Sequence, residues 1–497
     1  MLPASHPQEK KAGLAHWANR VLEECDNASQ SFAADPVHDL RVAIRRCRSM
    51  ADGFLSVDPD PAWKQMKRLA KPLFGSLGEL RDTQVMLEWV TKLLEPADTA
   101  RQSLLDLLAH KETALKAAAQ QALGQFDRKH WASLNAHLAK RTTKVPLEGP
   151  VFQHLALERW GEARELHRQA MRNRSQVGYH QLRIGIKRFR YTVENFLPQR
   201  HEKWAKDLRD LQDALGEVHD FDVLRSMIRA HPGIPAEERV RWHKRIIDER
   251  QKRLNYYRAK MLGKNSLWQV WRSELPSGTA LEQAALEKLK TWAAFLDPDP
   301  AHSALVTQIA LQLYDGLSQC HALAAKPEYR RILEAAALLH EVGRSKSANS
   351  HQKRAYRMIC KLDSPLGWTA EELRCVAATA RYHRGALPQM GDSYFVGLSA
   401  KRRSELLPII GTLRLANAFD FEHDQTVARV SVERQNGVVV LYAQGLQEIS
   451  PSAERIARAR YLLEATCHLP IMIQPLQSKA TASSRTAAYR QRKAEVS

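Results

Sequence analysis

The feature that most constrains this 497-residue chain is that part of it is written twice. Residues 37–50, VHDLRVAIRRCRSM, align with residues 179–192, YHQLRIGIKRFRYT, at an offset of 142. His38 pairs with His180, Leu40 with Leu182, Arg41 with Arg183 and Ile44 with Ile186. Arg45 pairs with Lys187, Arg46 with Arg188 and Arg48 with Arg190. A second block follows each, LGELRDTQVML at 77–87 and LGEVHDFDVLR at 215–225, now at an offset of 138. Just upstream, Arg68 and Lys71 match Lys206 and Arg209. Two blocks in the same order at nearly the same spacing mark a duplication.

Each first block has the period of a helix. Leu40, Ile44, Cys47 and Ala51 fall on one stripe, as do Leu182, Ile186, Phe189 and Val193. Asp35 and Pro36 supply a start for the first of these helices. Leucine, alanine and charge alternate through 60–145 and 200–272, so residues 1–275 are expected to form two related helical bundles. His38, Arg41, Arg45 and Arg48 stand at i, i+3, i+7 and i+10, an arc of about 80° centred about 110° from the apolar stripe. His180, Arg183, Lys187 and Arg190 repeat that spacing. The arc borders the buried seam, where the lining of a groove belongs. Its like charges repel, and along the helix only Asp39 in the first block and Glu194 beyond the second lie near enough to relieve them.

An anionic partner is the natural relief. The whole chain carries 75 Lys and Arg against 55 Asp and Glu, a formal net charge of +20. The excess is spread: 49 bases against 38 acids in residues 1–300, and 26 against 17 in 301–497. A solvated charged face would explain one such run, but here it must explain the same spacing twice. DNA or RNA would call for aromatic residues between the charges, and the blocks offer no such stacking pattern. A phosphate chain without bases needs only Lys and Arg donors, with bidentate contacts from Arg. His38 and His180 add charge that varies near neutral pH.

The pattern His-x-x-Arg-x-x-x-(Arg/Lys)-Arg-x-Arg, followed by LGE-x-x-D, resembles the CHAD family of helical domains over residues 1–275. The resemblance implies a pair of four-helix bundles whose basic residues bind inorganic polyphosphate, often at polyphosphate granules. It places the binding residues at His38, Arg41, Arg45, Arg46, Arg48, Arg68 and Lys71, and at His180, Arg183, Lys187, Arg188, Arg190, Lys206 and Arg209. Lys187 keeps the charge of its counterpart Arg45 and lacks the fork.

Residues 276–300 hold Pro-Ser-Gly and Asp-Pro-Asp-Pro signals and are expected to be a linker around a helix. Beyond them, 301–477 again looks helical, except that valines alternating about Asn436-Gly437 signal a hairpin. The tail 478–497 is polar and basic, with the composition of a disordered segment. The fold class expected overall is mainly α: two pseudo-repeat four-helix bundles, then an α-helical domain with a small β-hairpin.

The histidines of this half, His302, His340, His351 and His383, lie on separate segments, with Asn417 and Asp420 further on. Spacing alone favours solvated or hydrogen-bonded surface histidines; gathered together, they would suit a divalent metal. His302, LLHEVG with His340, RYHRG with His383, LRLANAFD with Asp420 and the hairpin together resemble the C-terminal HD-like domain of the exopolyphosphatase/guanosine pentaphosphate phosphatase family. That resemblance implies a vestigial metal set of His302, His340, Glu341 and Asp420. Glu341 stands where an HD site has Asp, Asn417 where a carboxylate is wanted, and Lys353 and Arg354 where the family often has a histidine. These changes point to a second phosphate site at Lys353, Arg354, Arg381 and Arg384, with no cofactor firmly implied. Neither GxxxxGK[ST] nor an early Asp-x-Gly-(Ser/Thr) occurs, so that family's catalytic actin-like domain is missing and no catalytic residue is assigned.

The expected function is capture of inorganic polyphosphate in a basic channel, without catalysis. A metal-dependent phosphohydrolase acting on polyphosphate or nucleotides is one alternative, and a nucleic-acid binder another. Granule-associated proteins are further candidate partners, and a membrane is not one. Six scattered cysteines without CxxC, no apolar leader in MLPASHPQEKKAGLAHW and no long apolar run lead to a cytoplasmic location, to which the CHAD resemblance adds polyphosphate granules as an expected site.

Overall fold

The computed structural model describes residues 13–447 and 453–476, so the basic tail from Ser478 lies outside the described residues. The chain divides into two compact units at Ala284/Ala285. No described helix is long and apolar enough to cross a membrane.

In the first unit the duplication is visible as architecture. The first bundle is built from α1 (Leu14–Ser31), α2 (Ala34–Phe54), α4 (Lys71–Leu93) and α5 (Thr99–Gly124), with short α3 (Pro61–Leu69) and α6 (Arg128–Thr142) beside them. The second uses α7 (Pro150–Asn173), α8 (Gln176–Phe196), α9 (Pro198–Ala230) and α10 (Ala236–Met261), followed by α11 (Leu267–Ser273). Proline opens α3, α7 and α9, where its missing N–H costs nothing and its fixed φ suits the first turn. Ser175 caps α8 by accepting from Gly178 N at 3.0 Å. The two basic blocks fall on α2 and α8, and the LGE blocks on α4 and α9. The change in offset arises mainly where Leu55–Asp60 joins α2 to α3, while Leu197 alone separates α8 from α9.

The repeats are fastened in two places. Phe54 and its counterpart Phe196 meet edge to face at 5.6 Å, Phe152 stacks on Phe196 at 4.2 Å, and Trp63 stacks on Phe54 at 4.9 Å. Gly53 is required here: a Cβ would stand 2.3 Å from the Phe196 ring. Elsewhere α4, α5, α9 and α10 share a core in which Trp89 meets Phe221 at 4.8 Å.

In the second unit α13 (Pro300–Gln319), α14 (Pro327–Leu339), α15 (His351–Ile359), α16 (Ala370–Arg381), α17 (Ala400–Phe419) and α18 (Ala453–Cys467) enclose one apolar core. Segment 276–300 contains α12 (Gly278–Ala294), and its Ala285, Leu289, Trp292 and Ala293 belong to that core. This segment is thus a packed element along much of its length.

The hairpin is β1 (Arg429–Gln435) and β2 (Val438–Gln444), paired antiparallel about Asn436 and Gly437, both at positive φ. A third strand, β3 (Ile471–Pro475), adds parallel to β2. Sequence patterning did not show it, because five residues that return after a helix carry no turn signal of their own. Gly316 on α13 lets the sheet close in, since a Cβ there would meet Val432 at 2.6 Å.

Candidate functional site: a basic cleft and a buried histidine cluster

Between the repeats of the first unit lies a cavity of about 750 Å³. Arg45, Arg48 and Lys67 line it from the first repeat, and Arg159, Lys187 and Arg188 from the second. Asp52 is the single carboxylate among its described lining residues, and it is paired with Lys67. Aromatic faces hold the guanidinium groups in place: Arg41 and Arg48 lie over Phe74 at 4.9 and 5.1 Å, Arg45 and Arg190 over Tyr191 at 5.1 and 5.9 Å. Arg41 also donates to Phe74 O at 3.2 Å, and Arg48 to Lys67 O at 3.1 Å. Of the two LGE glycines, Gly78 alone sits tight against a cleft arginine. A Cβ on Gly78 would stand 2.8 Å from Arg41 Nη1, and at its counterpart Gly216 a Cβ would lie 4.0 Å from Arg183 Nε.

The cleft holds its cations at the expense of their charge. Burial, then the charges of Arg45, Arg183 and Arg41, push the Lys187 ammonium down to about 7. Burial and neighbouring arginines likewise lower Arg41 and Arg45, and lower the His38 imidazole from its ordinary value. Arg45 Nε is buried without an acceptor. Arg46 differs: it pairs with Glu194, donates to Asn195 Oδ1 at 3.2 Å and lies over Trp17 at 5.0 Å. It ties α2 to α8, and its charge is already met.

In the second unit the four histidines are buried rather than on the surface, contrary to the expectation from spacing. The reason is that α14, α16 and α17 end together. His340 follows the last residue of α14, His383 lies two residues after α16, and Asp420 caps α17. Gly343 admits α15, for a Cβ there would meet His351 O at 2.1 Å. Two triads result, His302–His340–Glu341 and Glu341–His351–His383, each with its ligand atoms within 4.8 Å of one another. Burial pushes His340 and His383 below the ordinary histidine value, which keeps them neutral near pH 7.

Residues 12–229 match the CHAD domain model, and residues 284–441 match that of Ppx/GppA phosphatase, domain III. The chain joins a CHAD domain to a Ppx/GppA domain III. Among solved structures it is similar to the crystal structure of the CHAD domain from the plant Ricinus communis, at 21% identity and a TM-score of 0.39. That match covers 50% of this chain and 88% of the other. No curated protein matches the chain.

Within the CHAD domain the structure brings together Arg41, Arg45, Arg48, Arg183, Lys187 and Arg188 about the cleft. His38 lies in the field of Arg81 and Arg45, and the His180 ring lies 4.9 Å from His219. Arg190 is 3.7 Å from Glu194. Lys71, Lys206 and Arg209 are exposed, and Arg68 lines a separate cavity of about 410 Å³ with Phe126 and His130. Lys67, Arg159, Phe74 and Tyr191 were missed. Tyr191 alone carried a signal, standing beside Arg190 inside the repeated block.

In domain III three residues of the expected metal set, His302, His340 and Glu341, come together. Asp420 is not among the converging ligand atoms: its Oδ2 faces His302 Nδ1 at 2.7 Å and its Oδ1 accepts from Gln425 N at 2.8 Å. His351 and His383 take places beside Glu341 instead. The four basic residues suggested as a second phosphate site each have other surroundings. Arg354 donates to the carbonyls of Ser347, at 3.3 Å, and Asn349. Arg381 is buried against Tyr382 and Tyr394, Arg384 lies 6.0 Å from the Phe421 ring, and Lys353 is exposed.

Proposed function

We propose that this protein binds inorganic polyphosphate through its CHAD domain, with the cleft between the two repeats as the binding channel. The supporting observation is the convergence of Arg41, Arg45, Arg183 and Lys187 about a cleft whose single described lining carboxylate is Asp52; burial first, then the arginine charges, lowers the Lys187 pKa, with Asp82 opposing them. A linear phosphate chain supplies an acceptor to each donor and relieves their repulsion, while displaced counterions drive association. Bases are not needed, and they would find little to stack on, because Phe74 and Tyr191 already carry guanidinium groups. Both matched families are consistent with chemistry on polyphosphate.

The test is calorimetric titration of the full chain with long-chain polyphosphate, set against the triple variant Arg41→Gln, Arg45→Gln and Arg183→Gln. Losing three charge-assisted contacts should weaken binding by at least about a hundredfold, with helix content unchanged by circular dichroism. Equal affinity in the folded variant would overturn the assignment of the cleft.

A further inference from the structure

The histidine cluster of domain III has a hydrogen-bond pattern that protein atoms alone leave incomplete. Each of its four imidazoles has Nδ1 against an oxygen with no hydrogen to give: His340 against Ala337 O at 2.6 Å, His383 against Ala380 O at 2.7 Å, and His351 against Ala348 O at 3.0 Å. For His302 that oxygen is Asp420 Oδ2, at 2.7 Å. Carbonyl and carboxylate oxygens only accept, so each Nδ1 carries a proton, and a ring bearing that one proton keeps its lone pair at Nε2.

Those lone pairs face one another. His302 Nε2 and His340 Nε2 are 3.3 Å apart, and His351 Nε2 and His383 Nε2 are 3.2 Å apart. Glu341 Oε1, another acceptor, lies 3.1 Å from His351 Nε2, 3.5 Å from His383 Nε2 and 3.7 Å from His340 Nε2. Arg344 reaches the other carboxylate oxygen, Oε2, at 3.3 Å. Turning over the Asn417 amide, now with Oδ1 3.3 Å from His302 Nε2, would give one ring a donor and leave three without. All five side chains are at most 3% exposed, so water does not relieve the repulsion cheaply. The C-termini of α14, α16 and α17 add negative potential at this point. Acceptors without donors, held from behind through Nδ1, make the arrangement in which histidine binds a metal, and Asp420 behind His302 is the carboxylate–histidine pair that orients such a ligand.

We propose that domain III binds one or two first-row transition-metal dications, at Nε2 of His302 and His340 and at Nε2 of His351 and His383, with the Glu341 carboxylate shared between the two triads. Four imidazoles to one carboxylate select zinc, cobalt, nickel or iron over magnesium and calcium, which require oxygen. This set differs from the one the HD-like resemblance implies: Asp420 moves behind a ligand, and His351 and His383 become ligands.

Cobalt reports on the site without any assay of activity. The full chain, stripped with a chelator and dialysed against Co²⁺, should retain one or two equivalents. It should also show the visible d–d absorption of a nitrogen-bound ion of low coordination number, which Zn²⁺ displaces and millimolar Mg²⁺ does not. His383→Gln should cut the retained cobalt at least tenfold, while His137→Gln, a surface histidine elsewhere, should leave it unchanged. A wild-type chain that keeps less than a tenth of an equivalent, or shows only the weak spectrum of hydrated cobalt, overturns the proposal. So does retention of the full signal in folded His383→Gln.

Discussion

The cleft of the CHAD domain and the cluster of domain III are opposites in charge and alike in logic. Arg41, Arg45, Arg183 and Lys187 gather more donors than the nearby Asp82 and Asp220 can satisfy, whereas His302, His340, His351 and His383 gather acceptors without donors. A chain that minimised its own energy would have mixed the two kinds. Segregating them costs stability in each unit, and the missing partner, anion or cation, is the physical signature of a ligand. Their settings differ as well. The cleft is an open cavity of about 750 Å³, while the side chains of the cluster are almost wholly buried.

The largest way to sharpen this contrast is pH. The Lys187 ammonium, lowered to about 7 in the free protein, must be charged to hold a phosphate, so binding takes up a proton above that pH. The groups facing it are Arg45, Arg183 and Arg41, which lower it, and Asp82, which opposes them. Affinity for polyphosphate should therefore be flat below pH 7 and fall by up to about tenfold per unit above it, until Lys187 stays neutral in the complex as well. In Lys187→Arg the fall should disappear; a variant with the same pH profile would break the link. For stability the sign is the reverse: the unfolded chain binds more protons above pH 7, so the free protein gains stability as pH rises from about 7 towards the ordinary lysine value.

How legible each site was in the sequence follows from how it is assembled. The repeated basic residues of the cleft come from two helices, α2 and α8, that each carry them at i, i+3 and i+7, and duplication wrote the pattern twice, so periodicity alone placed them beside the core, whereas Lys67, Phe74 and Arg159 join from α3, α4 and α7. What the pattern could not tell is which arginines already have partners. Arg46 belongs to the same helix and meets Glu194, which lies 148 residues away. The histidine cluster was illegible in kind. Its members come from α13, the end of α14, the start of α15 and the residues after α16, and only packing brings them together. A search for an HD ligand set found His302, His340 and Glu341 but kept Asp420, whose carboxylate stands behind His302. The fold was legible throughout except for β3 and for the packing of α12, a helix expected within a linker whose apolar side instead enters the second core.

A smaller effect separates ligand-binding arginines from structural ones within one helix. Arg45→Gln should weaken polyphosphate binding about tenfold and leave thermal stability nearly unchanged, because Arg45 Nε has no acceptor to lose. Arg46→Gln should do the opposite: affinity within about threefold, and stability lower by about 1–3 kcal/mol as Glu194 loses a partner at the junction of the repeats. Thermal melts and titrations of the two variants check both halves, and equal behaviour would erase the distinction drawn between them.

The central claim, that the cleft is built for a phosphate chain and not for polyanions in general, is tested most directly by competition. The full chain is titrated at several salt concentrations with long-chain polyphosphate, single-stranded DNA and RNA of matched total charge. The account predicts much tighter binding of polyphosphate at every salt, with log affinity falling linearly in log salt. Equal affinity for all three at physiological salt would contradict it, and the basic cleft would then be a general polyanion surface.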